Sequence, residues 1–323
     1  MLLFRICNRY AMRYYLLRRE DLPRYVDFLM KLGFRVIAPK VEGGALVYGY
    51  LSKGEEFVDA VPTFFAKPFM GKESIFDLNS SSLPPTIYFT RSCEAAGVGM
   101  LDDVRLKGPF VDAIYMKKRK SIKLANLACT RSCSPKAFCG SLQGPRLESG
   151  FSMQLTDVGG DYFVELNDDE LPAADFMRPA GAELLGKARE AVRGVLSEQA
   201  KVSLDYELKW NDAIWNELAG KCIECGACTL ACPTCFCYSV DYRDWSRQED
   251  SCLWAGFTRM AGGNPRQSLE ARLKQRFYHK LEYHRDRYGY ILCTGCGRCT
   301  MACPVDIDIR SIMTRFSRVS GSD

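Results

Sequence analysis

Two short cysteine runs near the C-terminal end constrain this chain more than any other feature. The first reads Cys222-Ile-Glu-Cys225-Gly-Ala-Cys228-Thr-Leu-Ala-Cys232-Pro233, and the second Cys293-Thr-Gly-Cys296-Gly-Arg-Cys299-Thr-Met-Ala-Cys303-Pro304. Both follow C-x2-C-x2-C-x3-C-P, a spacing that holds a pair of [4Fe–4S] cubes by exchange of the last ligand. Three closely spaced thiolates hold one cube, and the cysteine before proline crosses to the other. The spacing therefore assigns Cys222, Cys225, Cys228 and Cys303 to cluster I, and Cys293, Cys296, Cys299 and Cys232 to cluster II. Gly226, Gly295 and Gly297 relieve side-chain crowding where the backbone must come close. Each proline ends its loop and suits the first turn of a helix. Zinc is the competing reading. Zinc sites, however, use two separated cysteine knuckles, not three cysteines in one tight run with a fourth before proline.

Length and composition narrow the class. A chain of 323 residues, 47% hydrophobic and 26% charged, has room for two soluble globular domains. Its sixteen cysteines do not describe a small secreted disulfide scaffold, because half of them already carry metal spacing; a reducing cytoplasm fits better. No apolar run approaches the roughly 18 residues that span a bilayer, and arginines interrupt the N-terminal MLLFRICNRYAMRYYLLRR, so it lacks the core of a secretory signal. The folded body is expected to begin near Met12. A net charge of +5 is too mild to argue for or against nucleic acid.

Before the cysteine runs the pattern is that of a mixed α/β domain. Residues 21–33 read as a helix with Asp21 as N-cap and Gly33 as its stop. Strands are expected at FRVIAP and ALVYGYL, joined through Glu42-Gly43-Gly44, then at TIYFT (86–90) and SIKLANLA (121–128). FSMQLTDVG and DYFVEL form a hairpin around Gly159-Gly160, and the stretch from Pro62 to Phe76 has no clean period. The acidic segment 167–179 reads as a linker. Helices are expected over 182–199 and 206–218, the latter with Trp210, Ile214 and Trp215 on one face. The fold class is thus α+β: an N-terminal α/β domain over 1–180, then a mainly helical ferredoxin-type domain over 181–323 with a long insert between its cluster motifs.

Cys93, Cys129, Cys133 and Cys139 make a third group, placed on loops after apolar strands. Four thiols suffice for one more [4Fe–4S] cluster, while free buried cysteines are an equally open reading. The insert, 233–292, adds Cys235, Cys237 and Cys252, read with Cys7 as apolar wall residues because eight better-placed ligands exist. His279 and His284, five apart, read as surface or packing residues. The run Lys117-Lys118-Arg119-Lys120 and the basic segment EARLKQRFYHKLEYHRDRYG read as solvated faces or a docking surface.

The order of these motifs resembles the iron–sulfur β subunit of soluble sulfhydrogenases and its relative, the iron–sulfur component of anaerobic sulfite reductases. YYLLRREDLPRYVDFL, LTDVGGDYFVEL, the CPTCFCYSV continuation of the first run, DSCLWAGFTRMAGG, QRFYHK and CTGCGRCTMACPVDIDIR carry it, over nearly the whole chain. The resemblance implies an electron carrier between a flavin/NAD(P)-binding partner and a catalytic subunit of hydrogenase or sulfite reductase type, and it supports a third cluster. The family's R-x-C-D element here ends in Glu94, and Ala137 stands where its C-F-C pair begins; Cys133 can replace that thiol. The chemistry agrees with a carrier. A cube moves single electrons, a nicotinamide gives a hydride, and a flavin must normally stand between them. No G-x-G-x-x-G follows a strand, and no catalytic centre of its own is expected. A self-contained enzyme using Cys235, Cys237 or Cys252 and a nucleic-acid-binding iron–sulfur protein are the weaker alternatives.

Overall fold

The computed structural model describes residues 12–62, 67, 73–74, 83–167 and 170–318. Cys7 and most of the 62–76 stretch lie outside them. The strands are β1 (Met12–Arg18), β2 (Arg35–Glu42), β3 (Ala45–Tyr50), β4 (Glu73–Ser74), β5 (Thr86–Arg91), β6 (Ile122–Leu127), β7 (Met153–Asp157), β8 (Asp161–Asn167) and β9 (Arg178–Ala180), followed by β10 (Tyr238–Asp241) and β11 (Ser246–Glu249). One sheet has eight strands in the order β3-β2-β5-β6-β7-β8-β1-β9; β10, β11 and β4 form a second of three. In the large sheet β2, β5, β6 and β7 run parallel to their neighbours in that series, and the outer pairings are antiparallel.

Both faces of the parallel centre are covered, which is why its strands read as nearly continuous apolar runs. Val36, Ile87, Phe89, Ala125 and Leu127 pack on one face with Tyr25, Val26 and Leu29 of α1 (Leu22–Lys31). Ile37, Tyr88, Ile122 and Leu124 face the other way, against Val98 and Leu101 of α2 (Ser92–Leu106) and Tyr115 of α3 (Ala113–Ser121). The alternation is that of pleated strands, whose successive side chains point to opposite faces.

Several expectations from sequence change here. Asp21 holds the N-cap position of α1 but makes no side-chain cap bond; its carboxylate accepts from Arg18 Nε at 2.8 Å. Cys93 is not on a loop: it opens α2, whose first turn is closed by Glu94 accepting from the Arg91 N–H at 2.6 Å. The acidic segment is not a free linker, since Leu171, Ala174 and Met177 are buried in the first core. The 182–199 helix is two short ones, α4 (Leu184–Ala191) and α5 (Arg193–Glu198), broken at Val192. The last expected helix starts late, as α6 (Ile214–Lys221). Before it Tyr206 bridges Ser317 as extended chain, and Asp212 accepts from the Ile214 N–H at 2.9 Å where the helix begins.

The C-terminal part is mainly helical. Beyond α6 come α7 (Ala227–Leu230), α8 (Leu269–Tyr278), a π-helical turn over His279–Tyr283, α9 (His284–Tyr288), α10 (Arg298–Met301) and α11 (Ile309–Arg315). Trp215, Phe277, Leu281, Ile312 and Phe316 form its core. Among the described residues no helix is long and apolar enough to cross a membrane.

Candidate functional site

The two cysteine runs fold alike. In each, a glycine in the left-handed region, Gly226 at φ +75° and Gly297 at φ +73°, starts a four-residue helix, α7 or α10. Two residues earlier the first run holds Glu224 at φ +58° and the second Gly295 at φ +69°. A glutamate in that conformation is strained. Its carboxylate is held by the buried Arg272 guanidinium at 2.6 Å.

Cys222, Cys225, Cys228 and Cys303 together wall one cavity, whose apolar side is Leu253, Phe277 and Ile309, and Cys299 reaches it as well. Burial pushes the Cys222 and Cys228 thiols up, and the neighbouring Cys225 and Cys303 push both further. The second set is deeper. Burial raises Cys293 to about 12 and also raises Cys299. Cys232 is the sulfur neighbour that Cys293, Cys296 and Cys299 share. The fourth cysteine of each run thus lies near the first three of the other. Thiols that resist ionisation in water-poor surroundings are deprotonated once they coordinate a metal, and an all-thiolate donor set fits [4Fe–4S] cubes. Among the described residues no three His, Cys, Asp or Glu side chains converge as a single ion requires; thiolates of one cube bind different irons and need not converge.

The N-terminal thiols gather where the parallel strands end. Arg91 of β5 pairs with Leu127 of β6, so Cys93 and Cys129 each stand two residues past that pair. Crevices at strand carboxyl ends are common ligand sites. Cys129, Cys133 and Cys139 influence one another electrostatically; burial lifts Cys129 to about 12 and Cys139 to about 11. Cys93 instead neighbours Cys296, and its thiol with the Arg298 guanidinium draws the Cys296 thiol down against burial. The loop is docked on the second run: Phe138 N–H donates to Gly295 O at 2.7 Å. A Cβ on Gly295 would lie 2.7 Å from the Cys139 backbone, and one on Gly297 2.6 Å from that of Lys136. Ala137, at the departure from the family pattern, is buried in this contact.

Buried cations were missed by the sequence reading. Arg272, Arg276 and Lys280 lie four residues apart along α8 and the π turn, facing inward rather than to solvent. Lys280 Nζ donates to Cys232 Sγ at 3.3 Å and to Leu292 O at 2.7 Å. Arg276 donates to Cys228 O at 3.3 Å and is influenced by Cys228, Cys235 and Cys299. Arg298 donates to Cys93 Sγ at 3.5 Å and pairs with the fully buried Glu94, which also accepts from Tyr48 at 2.5 Å. The i, i+4, i+8 spacing of the basic residues was the available signal. Cys235 neighbours Cys232, and Cys252 neighbours Cys237. His279 and His284 do pack: His279 meets Phe236 edge-on, and His284 Nδ1 lies 2.8 Å from Tyr290 O. Lys117 to Lys120 fall in α3, where Arg119 pairs with Asp102.

Residues 221–307 match the family model described as a 4Fe-4S dicluster domain. The chain is 27% identical to sulfhydrogenase 2 subunit beta of Pyrococcus furiosus, over 92% of this chain and 96% of that protein. A 4Fe-4S dicluster domain therefore occupies residues 221–307 of a chain that resembles, over nearly its whole length, the β subunit of a sulfhydrogenase.

Proposed function

We propose that this chain is the iron–sulfur electron-transfer subunit of a multi-subunit oxidoreductase of sulfhydrogenase type, working in the cytoplasm. It would relay single electrons between a flavin/NAD(P)-binding partner and a catalytic subunit. Cluster I is assigned to Cys222, Cys225, Cys228 and Cys303, cluster II to Cys293, Cys296, Cys299 and Cys232, and a third to Cys93, Cys129, Cys133 and Cys139. The observation that carries the reading is the two sets of four thiols, each completed by the last cysteine of the other run. A bound [4Fe–4S] cube supplies one-electron transfer at a potential set by its surroundings.

The chain's own residues set those surroundings. Arg276, Lys280 and Arg298 are buried cations among the thiols, and positive charge there favours thiolate ligands. The second run stands between the other two groups. Arg276 links Cys228 to Cys299 on one side, and Cys296 meets Cys93 on the other. These neighbours support a relay in the order I, II, III.

Anaerobic co-purification tests the assignment to a complex. Nickel in the associated catalytic partner is expected, sirohaem would point to a sulfite reductase instead, and turnover by the isolated chain would defeat the relay reading. Iron analysis of the full chain should give about twelve atoms, against about eight if only the two runs are occupied. Cys232→Ala should disturb the EPR signal of the cube on Cys293, Cys296 and Cys299. If it disturbs the same signal as Cys225→Ala and spares the other, the crossed assignment is wrong.

A further inference from the structure

The second sheet holds a thiol pair that the cluster assignments leave over. Cys237 immediately precedes β10 and Cys252 follows β11, so both stand at the open end of one hairpin. The ladder continues one step past its named strands, with Asp250 N–H donating to Cys237 O at 3.0 Å. The Ser251 hydroxyl then accepts from Leu253 N–H at 3.2 Å and from Thr229 at 2.8 Å, fixing a turn at Cys252. There the Cys252 thiol and its backbone N–H act on the Cys237 thiol. We propose that Cys237 and Cys252 are a redox-active pair that closes to a disulfide and reopens, a two-electron site beside the one-electron centres.

Three observations separate this pair from ordinary buried cysteine. First, the hairpin brings the two thiols within reach of each other, so closure asks for a local adjustment rather than refolding. Second, the surroundings are cationic. Lys67 Nζ is held by the carbonyls of Thr229 and Cys235, each at 3.3 Å, and pairs with Glu249; with Arg276 it acts on Cys237. A small apolar core residue has no use for buried cations, whereas a thiolate does. The Cys252 hydrogen bond, the Cys252 N–H and these two cations bring Cys237 down to about 7 against burial. Third, Cys237 is half-buried and Cys252 buried, so Cys237 is the more accessible of the two and Cys252 is placed to resolve it.

The chemistry balances with a small disulfide as oxidant. Cys237 thiolate attacks a reagent sulfur and expels one reagent thiol; Cys252 then attacks Cys237 Sγ and expels the second. One S–S bond forms in the protein and one breaks in the reagent, and two hydrogens pass to the reagent. Nothing in this exchange depends on a cluster. Only the further idea that the pair exchanges electrons singly with the relay rests on the function proposed above.

The test uses the full chain, purified anaerobically with its iron and equilibrated with glutathione and its disulfide at graded ratios. Free thiols are trapped with N-ethylmaleimide and the protein is digested with trypsin. Arg243 and Arg247 lie between the two cysteines, so cleavage leaves them on different peptides. A Cys237–Cys252 link that grows as the buffer turns oxidising, reverses with dithiothreitol and leaves the iron content unchanged is the expected result. Cys237→Ser and Cys252→Ser should each abolish the link. Alkylation of both cysteines at every ratio overturns the pair, as does a link from Cys252 to Cys235. Loss of about four irons in the Cys237→Ser/Cys252→Ser double variant would make them ligands and overturn it equally. Iron content of the unaltered chain, measured separately, reports on the relay reading instead.

Discussion

Arg298 shows how much can hang on one side chain. It is 2% exposed and pairs with Glu94, which is 0% exposed. Taking one partner from a buried ion pair leaves the other charge unmatched, at a cost of roughly 3–5 kcal/mol. Arg298→Met should therefore destabilise the chain by about that amount in anaerobic urea unfolding. Arg298→Met/Glu94→Gln should lose clearly less than the sum of the two single changes, because no bare charge remains. His279 gives a pH dependence. Burial, with Lys280 and His284 adding to it, lowers its pKa to about 4 from the usual 6.5. Between those values the unfolded chain binds a proton that the folded one refuses, so stability is complete above the unfolded pKa and falls as pH drops toward 4. The loss by pH 5 should be roughly 1–2 kcal/mol. A His279→Gln variant that keeps the full slope would exclude this residue as its cause.

At the scale of elements, the two cysteine loops differ in what supports them. Alanine at Gly226 or Gly297 meets the same backbone penalty, about 1 kcal/mol for φ near +75°. At Gly226 the new methyl would meet the Trp254 indole, a half-exposed side chain able to swing away. At Gly297 it would meet the backbone of Lys136 and Ala137, which cannot. Gly297→Ala should be worse by roughly 1–3 kcal/mol and, on the proposed assignments, should disturb the EPR signals of clusters II and III. Gly226→Ala should disturb that of cluster I. Equal losses in thermal unfolding would show that the N-terminal loop is not held there. The glycines were legible in sequence as places of close approach, but what approaches Gly297 was not, since it lies some 160 residues earlier in the chain. Arg276 and Lys280 teach the same lesson. Their spacing along one helical face was visible, yet a basic face reads as solvated until the thiols opposite it are known.

Over the whole molecule, the local pattern gave β2, β3, β5, β6 and the β7–β8 hairpin close to their observed bounds. Gly159 and Gly160 turn that hairpin at φ +102° and +109°. The order of strands was not legible. β1 lies between β8 and β9, and only long-range pairing puts it there. The dicluster domain was readable because its cysteine spacing is local; the side-by-side placement of the three cysteine groups depends on tertiary contacts. Those contacts also tie the N-terminal part to the C-terminal one. β4 pairs with β11, and Gln199 Nε2 donates to Cys139 Sγ at 3.3 Å.

The first cysteine loop faces solvent. Cys225 is exposed and Ile223 is 61% exposed, whereas every residue from Ile291 to Thr300 in the second is buried. Dissolved oxygen therefore meets the two loops on unequal terms. Under brief exposure to air, the cube on Cys222, Cys225 and Cys228 should bleach first and the one on Cys293, Cys296 and Cys299 should outlast it. Timed EPR after an air pulse reads the order directly, and simultaneous loss of both signals would contradict it. The exposed loop would then serve as the fuse of the molecule, failing before the interior does.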